Sequence, residues 1–85
     1  MNGILKLGEM IQAKYDRMVL RVRQREDCLR ASVYDSGVSN PERPIWESDF
    51  QDFDAAKETA ASVAHSHLNR SGPIPALDWK SQNSN

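Results

Sequence analysis

The chain has 85 residues, with 11 Lys and Arg against 12 Asp and Glu, and 39% of it is hydrophobic. That length supports one small domain, and a formal net charge of −1 beside this apolar share argues against wholesale disorder and against the strongly basic footprint of a nucleic-acid module. No apolar run is long enough to span a membrane and the start lacks the pattern of a signal peptide. Cys28 is the only cysteine and cannot form an intramolecular disulfide, so a reducing, cytoplasmic setting is expected.

Residues 1–9 form an N-terminal segment that no pattern orders. Met10 to Tyr15 alternates, with Ile11, Ala13 and Tyr15 against Met10, Gln12 and Lys14, which suits a strand; Ile4 to Tyr15 fits a short helix almost as well. From Arg17 to Arg25 the alternation is cleaner. Met18, Leu20 and Val22 fall on one side, and Val19, Arg21, Arg23 and Arg25 on the other, the mark of a half-buried strand. After a polar break, Leu29, Ala31 and Val33 alternate with Arg30, Ser32 and Tyr34, predicting the second strand of a hairpin.

Asp35 to Pro44 holds Asp-Ser-Gly, Ser-Asn-Pro and two prolines, and reads as an irregular loop. Ile45 to Phe50 reads as a further strand, with Trp46 and Phe50 toward the core and Glu47 and Asp49 on the outer face. Asp52 is placed to cap a helix reaching about Asn69, and Ala56, Ala60, Val63, Ala64, His67 and Leu68 recur along it at helical spacing. Ser71-Gly72-Pro73 predicts the stop, with Gly72 suited to the left-handed position after the last turn. Ile74, Leu77 and Trp79 are apolar anchors of a C-terminal tail, residues 71–85, expected to dock in part and to fray from Ser81. The fold class is therefore α+β: residues 10–70 form a single domain, an antiparallel sheet of three strands, or four if Met10 to Tyr15 pairs, with one C-terminal helix on one face. The predicted core is Met18, Leu20, Val22, Leu29, Ala31, Val33, Trp46, Phe50, Ala56, Ala60, Val63, Ala64 and Leu68.

Patterns that carry catalytic or cofactor chemistry are missing. His65 and His67, two apart on a helix, point about 200° away from each other and cannot hold one metal from one face; His67 suits a packed place at the edge of the apolar stripe and His65 a solvated one. Asp49, Asp52 and Asp54 are accounted for by helix capping, and Cys28 lacks the cationic setting of a reactive thiol. The glycines are scattered, so no phosphate loop is present. Neither metal nor cofactor is expected, and the chain is expected not to be an enzyme.

One constellation stands out. Arg21, Arg23 and Arg25 project from one strand at intervals of about 6.6 Å, with Arg30 and Tyr34 on the next, a comb able to bind phosphates. Glu47 and Asp49, on the same outer face, are placed to pair with these arginines.

The order of strands and helix, with Phe50-Gln51-Asp52 leading into Ala56, Ala60 and Ala64, resembles short uncharacterised bacterial proteins that pair a small antiparallel sheet with one C-terminal helix. Ala56-Lys57-Glu58-Thr59-Ala60-Ala61 is also similar to the last helix of the double-stranded RNA-binding domain; Asp54-Ala55 stands where that family has a phosphate-gripping basic pair, so the likeness implies the helix rather than the grip. The function expected first is a small, non-enzymatic protein-interaction module, binding a protein partner or a second copy of itself through the open sheet face or edge. The second is weak, sequence-independent nucleic-acid binding through Arg21, Arg23, Arg25, Arg30 and Tyr34.

Overall fold

Alternating residues become a sheet only when neighbouring strands match their apolar faces, and here four consecutive segments do so. A computed structural model describes residues 6–38, 40 and 42–82. Strands β1 (Met10–Tyr15), β2 (Met18–Gln24), β3 (Leu29–Asp35) and β4 (Trp46–Phe50) are followed by helix α1 (Phe53–His67) and a two-residue strand, β5 (Lys80–Ser81). The order across the sheet is β4-β3-β2-β1-β5, and every described pairing is antiparallel. The fold is α+β as expected, with five strands rather than three or four.

Met10 to Tyr15 is a strand and not part of a helix. A two-residue turn, with Asp16 at φ 55°, sets Tyr15 opposite Met18 and carries Ile11, Ala13 and Tyr15 onto the buried face. Of the N-terminal segment, residues 1–5 lie outside the described residues. Gly8 and Glu9 extend the β1–β2 pairing, the Gly8 amide donating to the Gln24 carbonyl and the Gln24 amide to that of Glu9, each at 3.0 Å.

The inner face is the core. Met18, Leu20, Val22, Leu29, Ala31 and Val33 are buried as expected, together with Ala56, Ala60 and Ala64 of the helix, while Trp46, Phe50, Val63 and Leu68 are partly buried around them. Ile11, Tyr15 and Ala61 complete the cluster. The helix lies over β2, β3 and β4, and its alanines let the backbone come close to the sheet. Asp52 caps it, a carboxylate oxygen accepting the Ala55 amide at 2.8 Å. At the other end Leu68 is the last cap residue and Asn69, at φ 57°, takes the left-handed position assigned above to Gly72. Asparagine tolerates that conformation better than other side chains, and the chain turns there; Gly72, at φ 82°, turns it again three residues later.

The tail returns to the sheet. Leu77 and Trp79 pack on the core, Ile74 stays 40% exposed, and β5 pairs with Ile11 and Gln12 of β1. Fraying does not start at Ser81: Ser81 is in β5, and the Gln82 amide donates to the Met10 carbonyl at 2.8 Å. Residues 83–85 lie outside the described residues.

Candidate interaction face

The side of the sheet away from α1 carries no other element among the described residues. Its side chains fall in cross-strand rows set by the register: Gln12, Arg21, Ser32 and Glu47 form one, and Met10, Arg23, Arg30 and Asp49 the next. Val19 and Tyr34 stand opposite each other in a third, beside Lys14. Four of the five residues of the expected comb are thus on strands of this face. Arg25 lies just past the end of β2, where its amide donates to the Cys28 carbonyl at 2.8 Å and carries the β2–β3 register one pair further, and its charge acts on Asp49 of this face.

Arg21 is held from two sides. Its Nε donates to Gln12 Oε1 at 2.8 Å, and its guanidinium carbon lies 4.9 Å from the centre of the Tyr34 ring, a cation–π stack with the diagonal neighbour. Arg23 donates to the Gly8 carbonyl at 3.4 Å and reaches Met10 Sδ at 3.5 Å. Neither Arg21 nor Arg23 has a described carboxylate within 4.0 Å. Arg23 sits directly opposite Arg30, which would repel it, but Arg30 is turned to Asp49, Nε to Oδ1 at 2.8 Å and Nη2 to Oδ2 at 3.3 Å. The hydrogen bond from Arg30 holds the Asp49 carboxyl below its ordinary range, and Asp49 in turn raises Arg30. Glu47 accepts from the Ser32 hydroxyl at 2.8 Å and lies 4.0 Å from Arg30. The expected pairing of acids with arginines therefore holds for Arg30 alone.

The sequence reading left Gln12, Lys14 and Lys80 off this face. The first two were available in the alternation of β1; Lys80, which pairs with Gln12, had no local signal. A shallow hollow of about 220 Å³ opens between Val19, Arg21, Tyr34, Ser36 and Glu42.

On the opposite side, two histidines fasten the helix end to the sheet. Asp35 was expected in a loop, yet it is the last residue of β3, opposite Met18 and only 1% exposed. Its carboxylate accepts from the Gly37 amide at 2.8 Å, from Arg17 Nε at 2.8 Å and from His67 Nε2 at 2.9 Å. The Gly37 amide first, then Arg17 and His67, outweigh burial and bring the Asp35 pKa down to about 2. His65 is half-buried rather than solvated: its ring stacks on Tyr15, with centroids 6.0 Å apart. Its Nε2 lies 3.0 Å from the Gly72 carbonyl, which can only accept, so Nε2 carries the proton and Nδ1 accepts from the Tyr15 hydroxyl at 2.8 Å. No described Ser, Thr or Cys side chain bonds to Asp35 or His67, and no three described His, Cys, Asp or Glu side chains gather where a metal ion could sit. Cys28 is half-buried, and burial, then Asp49 and Asp27, push its thiol pKa up, away from reactivity. No described helix is long and apolar enough to cross a membrane.

Comparison with protein-family models, with curated proteins and with solved structures gives no match for this chain.

Proposed function

We propose that the chain is a small, non-enzymatic protein-interaction module of the cytoplasm whose contact surface is the uncovered face of the sheet. The observation that carries this reading is the state of that face: an array in which Val19 and Tyr34 are half-buried among charged residues and Arg21 and Arg23 have no carboxylate partner among the described residues. Guanidinium groups held by neutral partners are already ordered and still able to accept an anionic group, which lowers the entropy lost on binding. In a reducing compartment Cys28 stays a thiol and plays no part.

The test is site-specific cross-linking. A photoreactive phenylalanine analogue in place of Val19 is expected to form protein adducts in cells, and the same analogue in place of Ser62, on the exposed side of α1, is not. Equal yields from both positions, or no protein adduct from Val19, would overturn the reading.

The Arg21–Tyr34 stack favours one second reading, weak and sequence-independent nucleic-acid binding, since a phosphate at Arg21 would leave a base within reach of the ring. Fluorescence anisotropy with single- and double-stranded oligonucleotides is then expected to show binding that weakens steeply from about 50 to about 200 mM salt and is lost in R21A/R23A. Binding unchanged by salt would remove the arginines as its cause.

A further inference from the structure

Charges on the open face are sorted by strand. Arg21 and Arg23 stand on β2 and Glu47 and Asp49 on β4, and the register puts Arg21 in the row of Glu47 and Arg23 in the row of Asp49. Within one chain these opposites do not meet: two strand spacings, about 10 Å, separate them, Ser32 and Arg30 stand between, and Arg21 is drawn the other way by Gln12. Each chain therefore presents an acidic strand and a basic strand in matching rows, with Tyr34 of β3 in the middle.

From this the geometry points to a second copy of the same chain as the occupant of the face, an inference that rests on reading the open sheet as a contact surface. A two-fold axis parallel to β3, just outside the face, leaves each residue's position along the strand unchanged and reverses the strand order. β4 of one copy then overlies β2 of the other. Glu47 faces the partner's Arg21 and Asp49 the partner's Arg23, and the two-fold repeats both contacts. The Tyr34 rings come together near the axis, as do the two Arg30 side chains, each neutralised by its own Asp49. An axis perpendicular to the strands would instead stack β4 on β4, acid against acid, so the charges select one arrangement.

The patch is small. Three strands span about 14 Å by about 20 Å, roughly 300 Å² per copy against about 800 Å² per partner in a standard interface, so the dimer is weak and its charges matter. It is expected to form toward millimolar concentration and to dissociate in about 1 M salt, where the screening length falls to about 3 Å.

Light scattering after gel filtration tests this on the full chain. From about 20 μM to about 1 mM in low salt, the mass is expected to rise from 9.6 kDa toward twice that value. E47R/D49R makes the face wholly basic along β2 and β4, and R21E/R23E makes it wholly acidic; each alone is expected to stay monomeric. Mixed in equal amounts they should associate at least as well as the wild type, because both contacts are then complementary. Since Asp49 also holds Arg30, circular dichroism checks the fold of each double variant, and the singles E47R and R21E repeat the test where a double variant is misfolded. A wild type that remains monomeric throughout overturns the dimer, as does a reversed variant that self-associates like the wild type. If Val19 then cross-links to a different protein, the interaction module stands without its self-pairing; if Val19 gives no protein adduct, the broader reading has failed as well.

Discussion

Asp35 shows how one side chain can join elements that are far apart in the chain. Arg17 and His67, 18 and 32 residues away, both reach its carboxylate, and the Gly37 amide fixes its rotamer. A folded-state pKa of about 2, against an ordinary value of 3.8, means that its contribution to stability is complete above the ordinary value and is lost as the pH falls toward 2. Urea midpoints of the wild type and D35N are therefore expected to differ most near pH 7 and to converge below pH 3, within the window those two values bound. A difference that does not change with pH would show that the anionic form carries no special weight. Tyr15 makes the companion contact, and Y15F, which removes only the hydroxyl donated to His65, is expected to cost about 1 kcal/mol by denaturant unfolding. None of this was legible beforehand. Asp-Ser-Gly carries the composition of a turn, and what makes Asp35 a buried anchor is the arrival of partners whose distance along the chain hides them from any local pattern.

Local periodicity, by contrast, did place the elements built from short-range repeats. The β2–β3 hairpin, β4 and α1 follow from spacings of two and of three to four residues, and Asp52 marks the helix start by the chemistry of its carboxylate. Strand ends were less legible: Arg25 keeps the alternation and the register one pair beyond the last residue of β2. The helix itself is built for close approach. Ala56, Ala60 and Ala64 are fully buried, so A60L must push the helix off the sheet and is expected to cost about 1–3 kcal/mol, whereas D52A loses only the cap, about 1 kcal/mol. Thermal or urea unfolding of the two variants checks the order; an A60L protein as stable as the wild type would mean that the interface has room to spare.

At the scale of the whole molecule, the sheet is a four-strand meander with a fifth strand added from the far end of the chain. The meander was readable because each strand pairs with the next; β5 was not, since two residues carry no period and its partner, β1, lies at the other end. Trp79 ties that return to the core, and W79A is expected to lower stability by about 2 kcal/mol, the order expected for a partly buried aromatic, and to speed hydrogen exchange at the β1 amides that face β5 while leaving β3 protected. Exchange that rises uniformly over the sheet would mean that the tail and the meander open as one unit.

The order β4-β3-β2-β1-β5 also has a history in time. Pairings among β1 to β4 close short loops, whereas the β1–β5 pairing must wait for a segment that lies beyond the helix. On a growing or refolding chain the outer edge of β1 is therefore expected to be the last part of the sheet to zip, an interval in which another extended strand can take the place that Lys80 and Ser81 will occupy.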